Sequence, residues 1–265
     1  MTETSEKLSY FGIQSKWGVT KHLGGMAATH QVARLCGLGP GKKVLEVGCG
    51  VGVTAVTLTK EYGCAVTAVD LNERMLDWSR KRAEKNGLAG KIEFRQANAT
   101  ALPYEDNTFD ALITESVTAF TPDKVKTLAE YARVIKPRGI VALTEVTWMK
   151  TPVPEEMVHF MEVSMEGAKF LPPEEWQAAF TSAGLVELHT ELYKMTFGAQ
   201  LKSDMHGFNL SDIAHRISAM GEVIKMTIID PEFRQFARGL TPSWFILTNM
   251  MKYMGYGIYT GKKPG

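Results

Sequence analysis

Short apolar runs alternate with longer mixed stretches over residues 43–145. Lys43–Val47, Ala65–Asp70, 92–96, 109–114 and 139–145 are apolar or β-branched and too short for helices, which predicts buried parallel strands. Between the second and third runs the spacing becomes helical. Asn72 is a candidate N-cap, Asn86-Gly87 a candidate stop, and Met75, Leu76, Ser79 and Ala83 form one face. A second helix is predicted over 122–134, with Val125, Leu128, Ala129 and Ala132 as its apolar positions. After Gly52 the β-branched Val53, Thr54, Val56, Thr57 and Thr59 disfavour helix. A crossover between parallel strands demands one there, so topology overrides propensity. Residues 26–37 predict an apolar helix that closes at Gly37.

The pattern changes after the fifth run. Pro152 and Pro154 mark a break, and 155–170 carries Met157, Met161 and Met165 at helical spacing. Pro172-Pro173 opens another helix, which ends at Gly184. Strands are predicted over 186–197 and 256–260. Between them, Leu210, Ile213, Ile217, Met220 and Ile224 make an amphipathic face, and Asp230-Pro231 and Thr241-Pro242 are N-cap/N1 pairs. That stretch is too long and too patterned for a hairpin loop. The organisation read from these patterns is an N-terminal helix segment (1–38), a doubly wound α/β core (39–198 with 255–265) and a helical insertion that packs over the strand ends (199–254).

Composition narrows the class. The 265 residues are 45% hydrophobic and 22% charged, as in an ordinary globular protein. A formal net charge of +1 gives no basic field for nucleic acid or acidic membranes. Three cysteines without metal spacing, Cys36, Cys49 and Cys64, suggest reduced thiols and a cytoplasmic setting. The N-terminus lacks the basic and apolar regions of a signal peptide, and no apolar run reaches the roughly 18 residues of a spanning helix. The oligomeric state is left open.

The chemistry is concentrated where the first strand ends, in Glu46-Val47-Gly48-Cys49-Gly50-Val51-Gly52. A strand that stops at a glycine-rich turn before a helix brings backbone N–H groups close to a ligand. Asp70, at the tip of the neighbouring strand, can accept two hydrogen bonds from ribose hydroxyls. A nicotinamide-type turn needs G-x-G-x-x-G. Here the third position is Val53, and the glycine falls at Gly52 instead. This spacing suits a nucleoside-containing ligand without a pyrophosphate.

At these residues the chain resembles the class I S-adenosylmethionine-dependent methyltransferases, within them the ubiquinone/menaquinone-biosynthesis type. The resemblance spans roughly 40–146. Its motifs are the glycine turn, Asp70-Leu71, Gln96-Ala97-Asn98-Ala99 through Tyr104, Glu115-Ser116, and Lys136-Pro137-Arg138-Gly139. It implies a seven-stranded, mostly parallel Rossmann-like sheet with an antiparallel final strand, S-adenosylmethionine as cofactor and no metal. It also implies that Gly48, Cys49 and Gly50 lie against the methionine part and that Glu46 stands near its amino group. Asp70 would bind the ribose, Leu71 would pack on adenine, Asn98-Ala99 would meet the adenine edge, and Glu115 would contact cofactor or acceptor. Relatives commonly carry Asp where this chain has Asn98, whose amide can both accept and donate.

The implied reaction displaces a sulfonium-bound methyl group, and positioning in a water-poor site is the protein's largest contribution. Glu115, Glu145 and His22 are the candidate catalytic residues. Tyr10, Lys16, Trp17, Trp148 and His206 are further residues that could meet an acceptor. Eleven of the fourteen methionines fall at or after Met149, and with Phe170, Phe208, Trp244, Phe245 and Tyr253 they suggest an adaptable apolar wall, a helical core or an interface. The expected activity is methyl transfer to a small apolar or amphiphilic acceptor, such as a quinone precursor, aromatic or polyketide-like compound. N-methylation of a small amine and cofactor binding without turnover are the alternatives.

Overall fold

Alternation along the strands sorts side chains onto the two faces of one sheet. A computed structural model describes residues 8–19, 23–195 and 210–265, without the side chains of 210–213 and 216. The strands are β1 (Lys43–Val47), β2 (Ala65–Asp70), β3 (Glu93–Gln96), β4 (Phe109–Glu115), β5 (Ile135–Trp148), β6 (Val186–Lys194) and β7 (Met254–Lys262). Their order in the sheet is β3-β2-β1-β4-β5-β7-β6. β7 runs antiparallel to β5 and β6, while the pairs from β3 to β5 are parallel. This is the Rossmann-like methyltransferase sheet that the sequence implied.

Val44, Ala111, Ile113 and Ala142 face one layer, built from α2 (Gly25–Leu35), α3 (Val53–Tyr62) and α4 (Glu73–Lys85). Leu45, Leu112, Val141 and Leu143 face the other, with α5 (Lys124–Val134) and α7 (Pro173–Ser182). β1 pairs with β2 on one side and β4 on the other. The chain reverses direction across the sheet at that point, and open α/β sheets bind ligands at the carboxyl side of such a reversal.

The helix after Gly52 forms despite its β-branched residues, because Thr54, Val56 and Thr57 are buried between the sheet and its neighbours. α4 buries Met75, Leu76, Ser79 and Ala83, and the Asn72 side chain caps it by accepting from Arg74 N–H. α5 differs from expectation. Thr127, Leu128, Tyr131 and Ala132 turn inward, while Val125 and Ala129 are exposed. β5 starts at Ile135, not at 139, because Arg138 in the left-handed region lets the strand continue through a register shift against β4. α6 (Glu155–Ser164) stops short of 170, where Glu166 and Gly167 both take positive φ.

Four further helices lie before β1 and between the last two strands. α1 (Tyr10–Trp17) is an element that apolar periodicity did not reveal. Between β6 and β7 lie α8 (Leu210–Ile229), α9 (Pro231–Gly239) and α10 (Trp244–Tyr253). Asp230 caps α9 through Glu232 and Phe233 N–H, as its pairing with Pro231 predicts. α10 is capped by Ser243, one residue past Thr241-Pro242, and Thr241 Oγ1 instead donates to the Ala237 carbonyl that ends α9. The predicted face of α8 points outward: Ile217, Met220 and Ile224 are exposed and Ala219 is buried. The side chains of Leu210 and Ile213, and residues Thr196 and Phe197 at the predicted end of β6, lie outside the described residues.

Candidate functional site

The turn after β1 is tied to the next strand. Gly48 and Cys49 N–H donate to the Val69 carbonyl at 2.7 and 2.9 Å, and Gly52 N–H donates to the Cys49 carbonyl at 2.9 Å. Gly48 has φ +74°, which L side chains rarely adopt. A Cβ there would lie 2.2 Å from Val117 Cγ2, so the turn after β4 presses directly on the glycine turn. The Asp70 carboxylate sits across this turn. Its Oδ2 accepts from Gly50 N–H at 2.9 Å and its Oδ1 from Asn72 N–H at 2.9 Å. Burial raises the Asp70 pKa, opposed by these backbone N–H groups.

Glu46 is 4% exposed, and its Oε2 has no hydrogen-bond partner among the described residues. Burial pushes its carboxyl well above the usual range, and the charges of Glu115 and Asp70 add to this. Glu115 links three elements: Oε1 accepts from Thr29 Oγ1 at 2.7 Å and Oε2 from Thr54 Oγ1 at 2.6 Å. Three acids thus face one end of β1, β2 and β4. Cys49 is buried, with its sulfur 3.8 Å from Ser79 Oγ. Leu71 is 66% exposed beside Asp70. Asn98 Oδ1 accepts from the N–H and hydroxyl of Thr100, which makes it a turn residue in this structure, while Ala99 packs on the core below.

Glu145 is fully buried and lies behind the β4 turn. Its Oε1 accepts from Val117 N–H at 3.0 Å and Thr118 N–H at 2.6 Å. Burial pushes the carboxyl up to about 7 against the pull of those N–H groups and of Lys124. An unfolded chain holds a glutamate near roughly 4.3. The folded state therefore favours the proton, and this contribution is full below the unfolded value and is lost as pH rises through about 7. Glu145→Gln should match the wild type in denaturant stability near about pH 4 and exceed it at about pH 8. A stability difference that does not change with pH would contradict a buried, titrating carboxyl.

A second, apolar region is assembled from distant residues. Tyr10 stacks on Phe120 with centroids 6.2 Å apart, and Phe11 meets the same ring edge-on at 4.8 Å. Phe120 packs against the cluster that holds Trp148, Met161 and Phe170. A recess of about 240 Å³ opens there, lined by Trp148, Val158, Met161, Ala168, Phe170 and Leu171, with Glu162 and Lys169 as its charged lining residues. Met157, Met161 and Met254 are buried core, whereas Met220 and Met251 are exposed, so the methionines do not form one wall.

α1 bridges α4 and the helices between β6 and β7. The Trp78 indole N–H of α4 donates to the Ser15 carbonyl at 3.0 Å, His215 Nε2 lies 2.7 Å from the Trp17 carbonyl, and Trp17 meets Phe233 edge-on at 6.1 Å. Lys16 stands over the Trp17 ring at 5.6 Å. The signals for this helix are in the sequence: Ser9 accepts from Gly12 N–H at one end, and Gly18 takes the left-handed conformation at the other. His22, His206, Met205 and Phe208 lie outside the described residues. Among the described residues no group of three or more His, Cys, Asp or Glu could hold a metal ion, and no helix is long and apolar enough to cross a membrane.

Comparison with known proteins places this architecture. Residues 45–143 match the methyltransferase domain family. The chain is 35% identical over 178 residues to an uncharacterized protein of Haemophilus influenzae, covering 65% of this chain and 70% of that one. It is 38% identical over 124 residues to the sterol 24-C-methyltransferase ERG6B of Gibberella zeae, covering 47% of this chain and 32% of that protein. The chain spans less than half the length of the sterol methyltransferases it matches. A solved S-adenosylmethionine-dependent methyltransferase from Thiobacillus denitrificans, in complex with S-adenosylhomocysteine, superposes with a TM-score of 0.71 at 20% identity, covering 98% of this chain and 99% of that one. That likeness bears on the fold. The chain belongs to the class I S-adenosylmethionine-dependent methyltransferases. It is an enzyme of that class, with S-adenosylmethionine as its cofactor.

Proposed function

We propose that the enzyme transfers a methyl group from S-adenosylmethionine to a small apolar or amphiphilic acceptor, such as a quinone precursor, an aromatic or a polyketide-like compound. The observation that carries this reading is the recess beside Trp148 and Phe170, mostly apolar, with the Tyr10, Phe11 and Phe120 rings next to it.

The donor side fits the cofactor group by group. The orphaned Oε2 of Glu46 suits an ammonium group, and Glu115 and Asp70 deepen the negative potential around it. Gly48, Cys49 and Gly50 let backbone approach the methionine part. Each Asp70 oxygen accepts one backbone N–H and retains capacity for a ribose hydroxyl. Leu71 offers an exposed apolar surface to a flat base, with Asn98-Ala99 at its edge. When bound, the cofactor supplies a methyl group on a cationic sulfur that a nucleophile can displace. The chain's own part is to hold the acceptor in line and exclude water, through Trp148, Phe170 and the aromatic wall. Glu115 and Glu145 act in this reading as supports for the threonines and backbone groups they grip.

Incubation with S-adenosylmethionine and a panel of phenols, quinols, polyketides and amines, read by mass spectrometry, tests this. Methylation of the aromatic or polyketide members supports it. Methylation confined to amines would replace it with N-methyl transfer, and cofactor binding without any product would favour a binding protein.

A further inference from the structure

The turn at 116–121 lies between the two halves of the site. On one side Val117 presses on Gly48, and on the other Phe120 carries the rings of Tyr10 and Phe11. Its conformation is not one the chain adopts unaided. Ser116 has φ +59°, costly for a residue with a side chain, and Val117 N–H and Thr118 N–H point into the protein. Both N–H groups are satisfied by a single atom, Oε1 of Glu145, at 3.0 and 2.6 Å. The carbonyl side of the same turn is held by Lys124, whose Nζ donates to the Ala119 and Thr121 carbonyls at 2.7 and 2.6 Å. Tyr131 and Tyr259 complete the surroundings of the Glu145 charge.

We infer that Glu145 is a positioning residue: it sets the 116–121 turn against the donor turn at Gly48 and, through Phe120, fixes the aromatic wall of the acceptor side. This rests on the donor site proposed above. Glu145 touches neither reactant; it acts through Val117 and Thr118. What matters is that one acceptor oxygen reaches two N–H groups at once. A glutamine has the same reach without the charge. An aspartate has the charge but is one methylene short.

The test is calorimetric titration of S-adenosylhomocysteine into the full-length protein and its Glu145→Gln, Glu145→Asp, Glu145→Ala and Asp70→Ala variants. Glu145→Gln should bind within about threefold of wild type, as one retained acceptor implies, and Glu145→Asp and Glu145→Ala should bind at least about tenfold more weakly, as loss of a buried hydrogen bond of roughly 1–3 kcal/mol implies. Should the alanine variant fail to fold, the order of the other two decides. Glutamine tighter than aspartate supports positioning by reach, and aspartate tighter than glutamine overturns it in favour of charge. Wild-type affinity in the aspartate or alanine variant also overturns it. If Asp70→Ala alone binds like wild type, the donor-site reading fails, which is a separate outcome.

Discussion

Gly48→Ala should weaken S-adenosylmethionine binding by on the order of a hundredfold, with the secondary structure retained. Two costs add at this one position. A φ of +74° costs an L residue about 1–2 kcal/mol. The new methyl would also lie 2.2 Å from Val117 Cγ2, closer than van der Waals contact allows. Val117 cannot simply withdraw, because its N–H is bonded to Glu145 at 3.0 Å. Relief must come from the glycine turn, which is tied to Val69 and which the proposed function places against the cofactor. Overpacking of this kind costs about 1–3 kcal/mol, and each 1.4 kcal/mol is about tenfold in affinity. Titration calorimetry with circular dichroism as a fold check measures it. Unchanged affinity would mean that the turn does not carry the cofactor.

Asp70→Ala is the second large effect, expected to weaken cofactor binding by on the order of a hundredfold or more. Hydrogen bonds to a charged group contribute about 1.5–3 kcal/mol each, and a ribose diol offers two. The same substitution releases Gly50 N–H and Asn72 N–H, which the carboxylate holds at 2.9 Å each. Part of the loss would therefore come from a looser turn. Asp70→Asn separates the parts: it keeps one acceptor oxygen and should fall between wild type and alanine. Wild-type affinity in the alanine variant, measured by the same titration, would remove Asp70 from the site.

The framework of the proposed donor half was legible because its signals are local. β1 and β2 have the boundaries that their apolar runs predict, and the glycine turn and Asp70 follow from where those strands end. The close approach at Gly48 was not legible, since Val117 reaches it from the turn after β4, sixty-odd residues on. The region proposed for the acceptor depends almost wholly on such contacts: Tyr10, Phe120, Trp148 and Phe170 meet only in the folded chain. Periodicity also reports a stripe without saying which way it faces. In α4 the stripe is buried, while in α8 the same kind of stripe is exposed. Lys136-Pro137-Arg138 precedes the predicted fifth strand, yet positive φ at Arg138 lets it join β5 as an irregular strand. Glu145 marks the converse limit: its place at the end of β5 made it a candidate for contact with reactants, and its burial and its bonds to Val117 and Thr118 N–H could not be read from the sequence.

The most direct measurement of the central claim is transfer of an isotopically labelled methyl group. The enzyme is incubated with methyl-labelled S-adenosylmethionine and the phenol, quinol and polyketide panel, and products are read by mass spectrometry. The account predicts an acceptor that gains one labelled methyl group in step with S-adenosylhomocysteine, and a rate that collapses in Asp70→Ala. A bound cofactor that never gives up its label to any acceptor, or a product formed equally well by Asp70→Ala, would contradict it.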